Sequence, residues 1–175
     1  LVVASMRIRA LLWESITEAE TRGMLTRFLP AQLRYVEARE LHVLRDGEQV
    51  RMAVAFVDIR GFTRLAEGME PRNLSALLTT YRGFVTAQAD AHGGIVDKFI
   101  GDGAMVVFDD RQGTAAAGAL AFAEGLLADV AAWDSRIDIG VGVHIGDVFA
   151  GVVGDEGRLE YTVLGDVVNV AARLE

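Results

Sequence analysis

Two aspartates beside apolar segments are the residues of this chain best suited to chemistry. Asp58 follows the apolar run 52–57 and is followed closely by Gly61, and Asp102 lies between the apolar segments 95–100 and 104–108. A buried strand that ends in a carboxylate and a glycine turn presents an acid and backbone N–H groups at the edge of a sheet. Two such carboxylates are suited to divalent metal ions that carry nucleotide phosphates.

Each candidate residue also has a purely structural explanation. Asp58 can cap the turn that follows it, and Asp102 precedes a glycine, a pair that is favoured in hairpins. Lys98 can point from its strand into solvent, and Asn169 and Arg173, four residues apart, can lie on a solvated helix face. The two aspartates indicate a metal site only together, because the order of elements predicts that their strand and hairpin are neighbours.

Apolar periodicity, with the glycines and prolines between segments, predicts the elements that position these residues. Strands are predicted to end at Asp58 and to span 95–100, 104–108, 137–145 and 161–164, and helices to span 6–28, 31–40, 71–91, 114–132 and to begin near Val167. Gly101-Asp102-Gly103 is predicted to close a tight hairpin, and Gly146-Asp147 and Gly154-Asp155 to bracket a separate apolar segment. From the first strand onward the order is β-α-β-β-α-β. This order predicts an α+β fold with a ferredoxin-like sheet and helices on one face.

Composition narrows the classes of partner. The 175 residues are enough for one domain with a sizeable core, and 51% of them are hydrophobic. The formal charge of −8, without a basic run, argues against nucleic acid and anionic membrane surfaces as partners. The absence of cysteine excludes disulfides, thiolate catalysis and cysteine-bound zinc, and it fits a reducing compartment.

Residues 1–29 are predicted to form an N-terminal connector helix, and residues 30–175 a catalytic domain. Pro30 predicts that the first helix stops at or before Leu29. The helix has a patchy apolar stripe, which fits either a surface helix packed on its own domain or a connector that pairs with its twin. The chain begins without methionine or a signal-peptide pattern, and we expect it to be part of a longer protein.

Four segments carry a resemblance to a known family. They are VAFVDIRGFT, GGIVDKFIGDGAMVVF, VGVHIGDVFAGVVG and LEYTVLGDVVNVAARLE, in this order. Together they resemble the catalytic domain of class III nucleotide cyclases, from about residue 50 to the end of the chain. Within that family the chain resembles an adenylyl cyclase of the bacterial type.

The resemblance implies roles at the metal and phosphate end of a site. Asp58 and Asp102 resemble the two metal-binding aspartates, and the Ile59 carbonyl resembles a further ligand, for two Mg²⁺ or Mn²⁺ ions. The turn Gly61-Phe62-Thr63 resembles the segment whose backbone holds the triphosphate.

The resemblance also implies roles at the nucleoside end. Lys98 and Thr162 resemble the pair that reads the purine; Lys with Thr or Asp implies adenine, whereas guanylyl cyclases typically carry Glu and Cys. Asn169 resembles the residue that orients the ribose, and Arg173 resembles the cation on the transition-state phosphate. The implied reaction converts ATP to cyclic AMP and pyrophosphate, by two-metal-assisted attack of the ribose 3′-hydroxyl on the α-phosphate. In the family, two subunits of a head-to-tail homodimer share each site.

Four other classes of protein fit these residues less well. A haloacid-dehalogenase phosphatase needs a second acid where Arg60 stands, and a diguanylate cyclase needs a Gly-Gly-Asp/Glu-Glu-Phe hairpin where Gly101-Asp102-Gly103 stands. A guanylyl cyclase is the nearest enzymatic alternative and is disfavoured by Lys98. A catalytically silent dimerisation domain should lack a key residue, yet all six matched side chains are present.

The resemblance finally implies what surrounds this segment. The family domain continues beyond Glu175, and a triphosphate-binding lysine lies in that continuation. An upstream sensor or membrane domain is expected in the full-length chain. We expect a cytoplasmic location, for a free protein or for the cytoplasmic part of a membrane-anchored one.

Overall fold

The computed structural model describes residues 47–155 and 158–175. The connector helix predicted over 1–29 and the helix predicted over 31–40 lie outside these residues. The described elements are β1 (Glu48–Ile59), α1 (Phe62–Glu67), α2 (Pro71–Ala91), β2 (Ile95–Ile100), β3 (Gly103–Asp109), α3 (Ala115–Trp133), β4 (Ile139–Asp155), β5 (Arg158–Leu164) and α4 (Asp166–Leu174).

The strands form one antiparallel sheet in the order β2-β3-β1-β4-β5. Its first four strands have the split βαβ arrangement, in which β3 lies between β1 and β2, so the ferredoxin-like α+β fold is confirmed. The predicted hairpin is also confirmed: β2 and β3 meet at a turn in which Gly101 adopts a positive φ of 63°. A glycine is favoured there because a side chain would strain this conformation.

The structure differs from the sequence prediction along β4. Strand 137–145 and the separate segment after it are one 17-residue strand, and Gly146-Asp147 lies inside it, paired with β1. Two glycines of this strand, Gly142 and Gly146, allow the close approach of a helix rather than forming turns. A Cβ on Gly146 would lie 2.7 Å from Val167 Cγ2, and a Cβ on Gly142 would overlap the Ala171 carbonyl oxygen.

Both faces of the sheet are buried. On one face α2 and α3 pack against every second residue of β1 and β3, in a core that includes Tyr81 and Phe122. On the opposite face α4 packs through Val167 and Ala171, together with Val163 of β5. The expectation that the helices share one face is therefore wrong for α4. The uninterrupted apolar run of β1 is the sequence signal for a strand that is covered on both faces.

Helix α3 is long and apolar enough to span a membrane by length and composition alone. Here it packs on the sheet, with Ala119, Phe122 and Leu126 fully buried, and the core helix of a globular fold passes the same test.

We expect Gly142→Ala to lower the free energy of unfolding by about 1–3 kcal/mol, because overpacking a close contact costs this much. The new Cβ would lie 2.6 Å from the Glu175 backbone nitrogen, so α4 itself must shift. Denaturant unfolding measures the change, with Gly83→Ala on the open surface of α2 as the control. Equal losses in both variants would contradict the close packing of α4 on β4.

Candidate active site

The register of the sheet brings Asp58 and Asp102 together. Val57 pairs with Ala104, so the end of β1 lies beside the tip of the β2–β3 hairpin. The two carboxyl groups are within hydrogen-bonding distance of each other, and Asp102 Oδ2 accepts a 3.3 Å hydrogen bond from the Ile59 backbone N–H. The predicted pair of acids therefore exists as one cluster at one end of the sheet.

Burial and like charge raise the pKa of Asp58 to about 6. Partial burial is the largest cause, followed by the hydrogen bond and charge of Asp102 and then by the charge of Glu175 at the end of α4. No cation appears among the groups that shift this pKa in the described part of the chain. Two close, partly buried carboxylates are the donor set that a divalent ion stabilises, so the residues fit the implied metal.

The backbone around the acids leaves little space for other side chains. A Cβ on Gly103 would lie 3.0 Å from the Val57 carbonyl oxygen and 3.3 Å from Asp58 Oδ1. After Ile59 the chain turns at Gly61, which has a φ of 67°, and enters α1 at Phe62. Gly61 and Thr63 are exposed, so the predicted triphosphate-binding turn is open to solvent beside the acids.

Lys98 and Thr162 meet although they come from opposite edges of the sheet. Lys98 Nζ lies 3.1 Å from Thr162 Oγ1, across 64 residues of sequence. A flat sheet would hold β2 and β5 four strand spacings apart, roughly 19 Å. The sheet must therefore curl until its edge strands approach each other. Lys98 also forms an ion pair with the buried Asp97, at 3.5 Å, and Thr162 is 6% exposed.

A β-bulge at Asp97 decides on which face of the sheet Lys98 lies. Val96 and Lys98 pair with consecutive residues of β3, so Asp97 is an extra residue on its strand. Without the bulge, Val96 and Lys98 would share a face, because side chains alternate along a strand. Val96 packs in the core under α2 and α3, whereas Met105, opposite Lys98, belongs to the other core. The bulge thus moves Lys98 to the face of the sheet that α4 covers.

Asn169 and Arg173 are both exposed on α4, one turn apart, opposite the buried residues Val167 and Ala171. The structure places them on one accessible face, as their spacing predicts. Among the described residues no hydrogen bond or ion pair joins either side chain to the acid pair or to Lys98 and Thr162. The six side chains that resemble the family's site residues thus form three separate pairs: Asp58 with Asp102, Lys98 with Thr162, and Asn169 with Arg173.

Tyr81 and Arg82 lie near the acid pair, and the sequence analysis assigned neither to the site. Tyr81 is fully buried, its hydroxyl has no hydrogen-bond partner among the described residues, and burial with the charges of Asp58 and Asp102 raises its pKa. Arg82 donates from Nη2 to the Gly101 carbonyl at 2.8 Å. From the sequence alone, they are an ordinary core tyrosine and an ordinary arginine of an amphipathic helix. Only the contact of α2 with the hairpin marks them as neighbours of the acid pair.

Comparison with known proteins gives one consistent family. The sequence profile of the adenylate and guanylate cyclase catalytic domain matches residues 46–175. The adenylate cyclase of Anabaena cylindrica is 38% identical over 134 residues, which are 71% of this chain and 27% of that protein. The chain spans about a quarter of the length of the curated relatives it matches.

Solved structures of both purine classes are similar to this chain. The adenylyl cyclase CyaB from P. aeruginosa is 33% identical, with a TM-score of 0.69 over 74% of this chain and 72% of that one. The guanylyl cyclase Cya2 is 29% identical, with a TM-score of 0.59 over 74% of this chain and 71% of that one. Overall structural similarity therefore does not indicate whether this chain prefers an adenine or a guanine nucleotide. That preference depends on individual residues.

We expect Asp58→Asn to be more stable than the parent in metal-free buffer above pH 6, by about 1–2 kcal/mol after allowance for solvent screening. The folded pKa of Asp58 is about 6, above the value of 3.8 for an aspartate in water, so ionisation disfavours the folded state. This destabilisation is absent below about pH 4 and complete above about pH 6.

Thermal unfolding with EDTA at pH 4 and pH 8 measures the difference, with Asp90→Asn on the exposed surface of α2 as the control. Added Mn²⁺ should then raise the Tm of the parent and not that of Asp58→Asn. Equal stability of parent and variant at pH 8 would show that the two carboxylates do not repel each other.

Proposed function

The chain belongs to the adenylate and guanylate cyclase catalytic domain family, and we propose that it is an adenylyl cyclase that converts ATP to 3′,5′-cyclic AMP and pyrophosphate. The contact between Lys98 and Thr162 is the observation that carries the choice of adenine. A lysine ammonium donates hydrogen bonds only, and a threonine hydroxyl can donate or accept. Because Thr162 is buried and Lys98 partly buried, such a pair can favour one purine by leaving its own polar groups unpaired against the other.

Asp58, Asp102 and the Ile59 carbonyl would hold two Mg²⁺ or Mn²⁺ ions. When bound, these ions lower the pKa of the ribose 3′-hydroxyl and offset the charge of the triphosphate. The carboxylates would contribute fixed negative charge at one place, and the Ile59 N–H bond to Asp102 would keep the hairpin acid oriented. The exposed turn Gly61-Phe62-Thr63 would bind the triphosphate through backbone N–H groups and the Thr63 hydroxyl.

Asn169 and Arg173 would act on the reacting part of the nucleotide. Their exposure on one face of α4 suits contact with a bound ligand, and a helix holds two side chains one turn apart in a fixed relation. Asn169 would orient the ribose so that its 3′-oxygen is in line with the α-phosphorus. Arg173 would stabilise the charge that develops on the phosphate oxygens, where a fixed guanidinium is effective.

We propose that each site is shared by two copies of the chain in a head-to-tail homodimer. Within the described chain no cation is among the groups that shift the pKa of Asp58, although a site for triphosphate transfer needs cationic residues beside its metals. Arg173 is exposed on α4, and Lys98 lies on the β2–β3 hairpin in contact with Thr162 and Asp97. A second copy that offers these residues to the acid pair would complete a site, and a symmetric dimer would hold two.

The proposal extends to the setting of the domain. A cytoplasmic location fits an enzyme that uses ATP and has no cysteine, and an upstream sensor would supply its regulation. A guanylyl cyclase is the outcome that would replace the proposal if the purine preference proves to be reversed.

We expect Lys98→Glu with Thr162→Cys to lower the kcat/KM for ATP relative to GTP by about tenfold or more, because the donors that face the base are replaced. Initial rates with each nucleotide measure the ratio. Arg136→Glu, at an exposed arginine that pairs with Asp134, is a control for charge reversal. An unchanged ratio would show that Lys98 and Thr162 do not read the base.

We expect a mixture of inactive Asp58→Ala and Arg173→Ala chains to recover activity under conditions in which subunits exchange. A mixed dimer holds one site with both acids from the Arg173→Ala chain and the arginine from the Asp58→Ala chain. The maximum is half of the parental activity per mixed dimer, because its second site lacks both residues. Activity of the mixture no higher than that of either parent would contradict the shared site.

A further inference from the structure

The β2–β3 hairpin carries residues for both ends of the proposed reaction. Lys98 lies on its first strand, and Asp102 lies at its tip, four residues later. Lys98 contacts Thr162, and Asp102 contacts the end of β1, so a shift of the hairpin would disturb both contacts. Whatever fixes the hairpin relative to the rest of the domain therefore affects purine recognition and metal binding together.

Arg82 of α2 makes two contacts with this hairpin. Its Nη2 donates a 2.8 Å hydrogen bond to the carbonyl of Gly101, in the turn. Its guanidinium carbon lies 4.7 Å from the centre of the Phe99 ring, in a cation–π arrangement. One side chain thus contacts the residue directly after Lys98 and the residue directly before Asp102.

The chemistry of arginine is required for both contacts at once. A planar guanidinium can lie over an aromatic ring and donate in its own plane, whereas a lysine ammonium is a point charge without a stacking face. Arg82 is half-buried, and its Nε is buried without a hydrogen-bond partner among the described residues. The guanidinium is thus held against the hairpin rather than extended into water.

The turn that Arg82 contacts contains a glycine with a positive φ. Gly101 has a positive φ, so its peptide can rotate more freely than that of a residue with a side chain. A charged donor on its carbonyl fixes the peptide orientation, and Asp102 follows directly in the chain. Loss of the donor would leave Asp102 held by the Ile59 N–H bond of 3.3 Å and by strand pairing.

We infer that Arg82 is a positioning residue that holds the hairpin for two different active sites, and this inference rests on the proposed shared-site cyclase. In a head-to-tail dimer, one hairpin gives Asp102 to the site formed with its own Asp58 and gives Lys98 to the other site. Arg82 of one chain therefore sets the metal binding of one site and the base recognition of the other.

The test places Arg82→Met separately in each chain of the Asp58→Ala and Arg173→Ala mixed dimer, which has one complete site. In the Arg173→Ala chain, the change acts on the acid pair of that site. We expect the metal concentration for half-maximal activity to rise about threefold to tenfold, with the KM for ATP within about twofold of its value in the unchanged mixed dimer.

In the Asp58→Ala chain, the Arg82→Met change acts on the Lys98 that belongs to the complete site. There we expect KM for ATP to rise by a similar factor and the preference for ATP over GTP to fall, at an unchanged metal requirement.

Two matched variants separate positioning from general stability. Arg72→Met changes an exposed arginine of the same helix and should leave every parameter unchanged. Arg82→Lys keeps the charge and should restore less than half of the lost metal affinity, because it cannot stack and donate together. Calorimetric Mn²⁺ binding to the Arg82→Met homodimer gives a readout without catalysis, and we expect its Kd to rise about threefold or more.

The outcomes distinguish the inference from the function on which it rests. If the mixed dimer without an Arg82 change makes no cyclic nucleotide, the shared site fails, and the Mn²⁺ measurement alone decides whether Arg82 positions Asp102. If the mixed dimer is active but Arg82→Met produces the same change in either chain, or no change, Arg82 does not position the hairpin for two sites. An unchanged Mn²⁺ affinity in the homodimer would also overturn the inference.

Discussion

Repulsion between two carboxylates is the constraint on which this structure depends. Asp58 and Asp102 lie within hydrogen-bonding distance of each other, and burial and like charge raise the pKa of Asp58 to about 6. Such a pair persists only if strong interactions hold the chain on both sides of it. Those interactions are the antiparallel pairing of β1 with β3 and with β4, which fixes Asp58, and the hydrogen bond from the Ile59 N–H, which fixes Asp102. In the proposed function a divalent cation would bind at these carboxylates and would offset both their burial and their like charge.

The curl of the sheet is the second requirement. Purine recognition as proposed needs Lys98 from one edge strand and Thr162 from the other, and these strands approach each other only because the sheet curls. Gly142 and Gly146 let α4 pack directly on β4, so the helix that carries Asn169 and Arg173 is fixed to the same sheet. The bulge at Asp97 sets the face on which Lys98 lies. The positions of the separate residues of the proposed site therefore depend on the curvature of one sheet.

Sequence reasoning succeeded where the signal was local. The strand before Asp58, the Gly101-Asp102-Gly103 hairpin and the one-turn spacing of Asn169 and Arg173 follow from short patterns, and the structure has all three. It failed where contacts between distant segments determine the structure. A glycine that allows a helix to pack cannot be distinguished in the sequence from a glycine that forms a turn, so the sequence predicted two separate segments where the structure has the single strand β4. The bulge at Asp97 and the role of Arg82 depend on contacts across the fold, which no spacing in the sequence reveals. The predicted roles of the site residues came from the resemblance of four motifs to a family, and the geometry supports their grouping without assigning their chemistry.

In the proposed function the acid pair and the Lys98–Thr162 pair together make an ATP-specific cyclase. Product formation by the full-length protein, with ATP or GTP in Mg²⁺ and then in Mn²⁺, tests this directly, with Asp58→Ala as the control. We expect cyclic AMP from ATP, little cyclic GMP from GTP, and neither product from Asp58→Ala. Cyclic GMP as the main product would contradict the assignment of the purine pair. No product with either nucleotide, at protein concentrations at which the chain is dimeric, would contradict the assignment of catalysis itself.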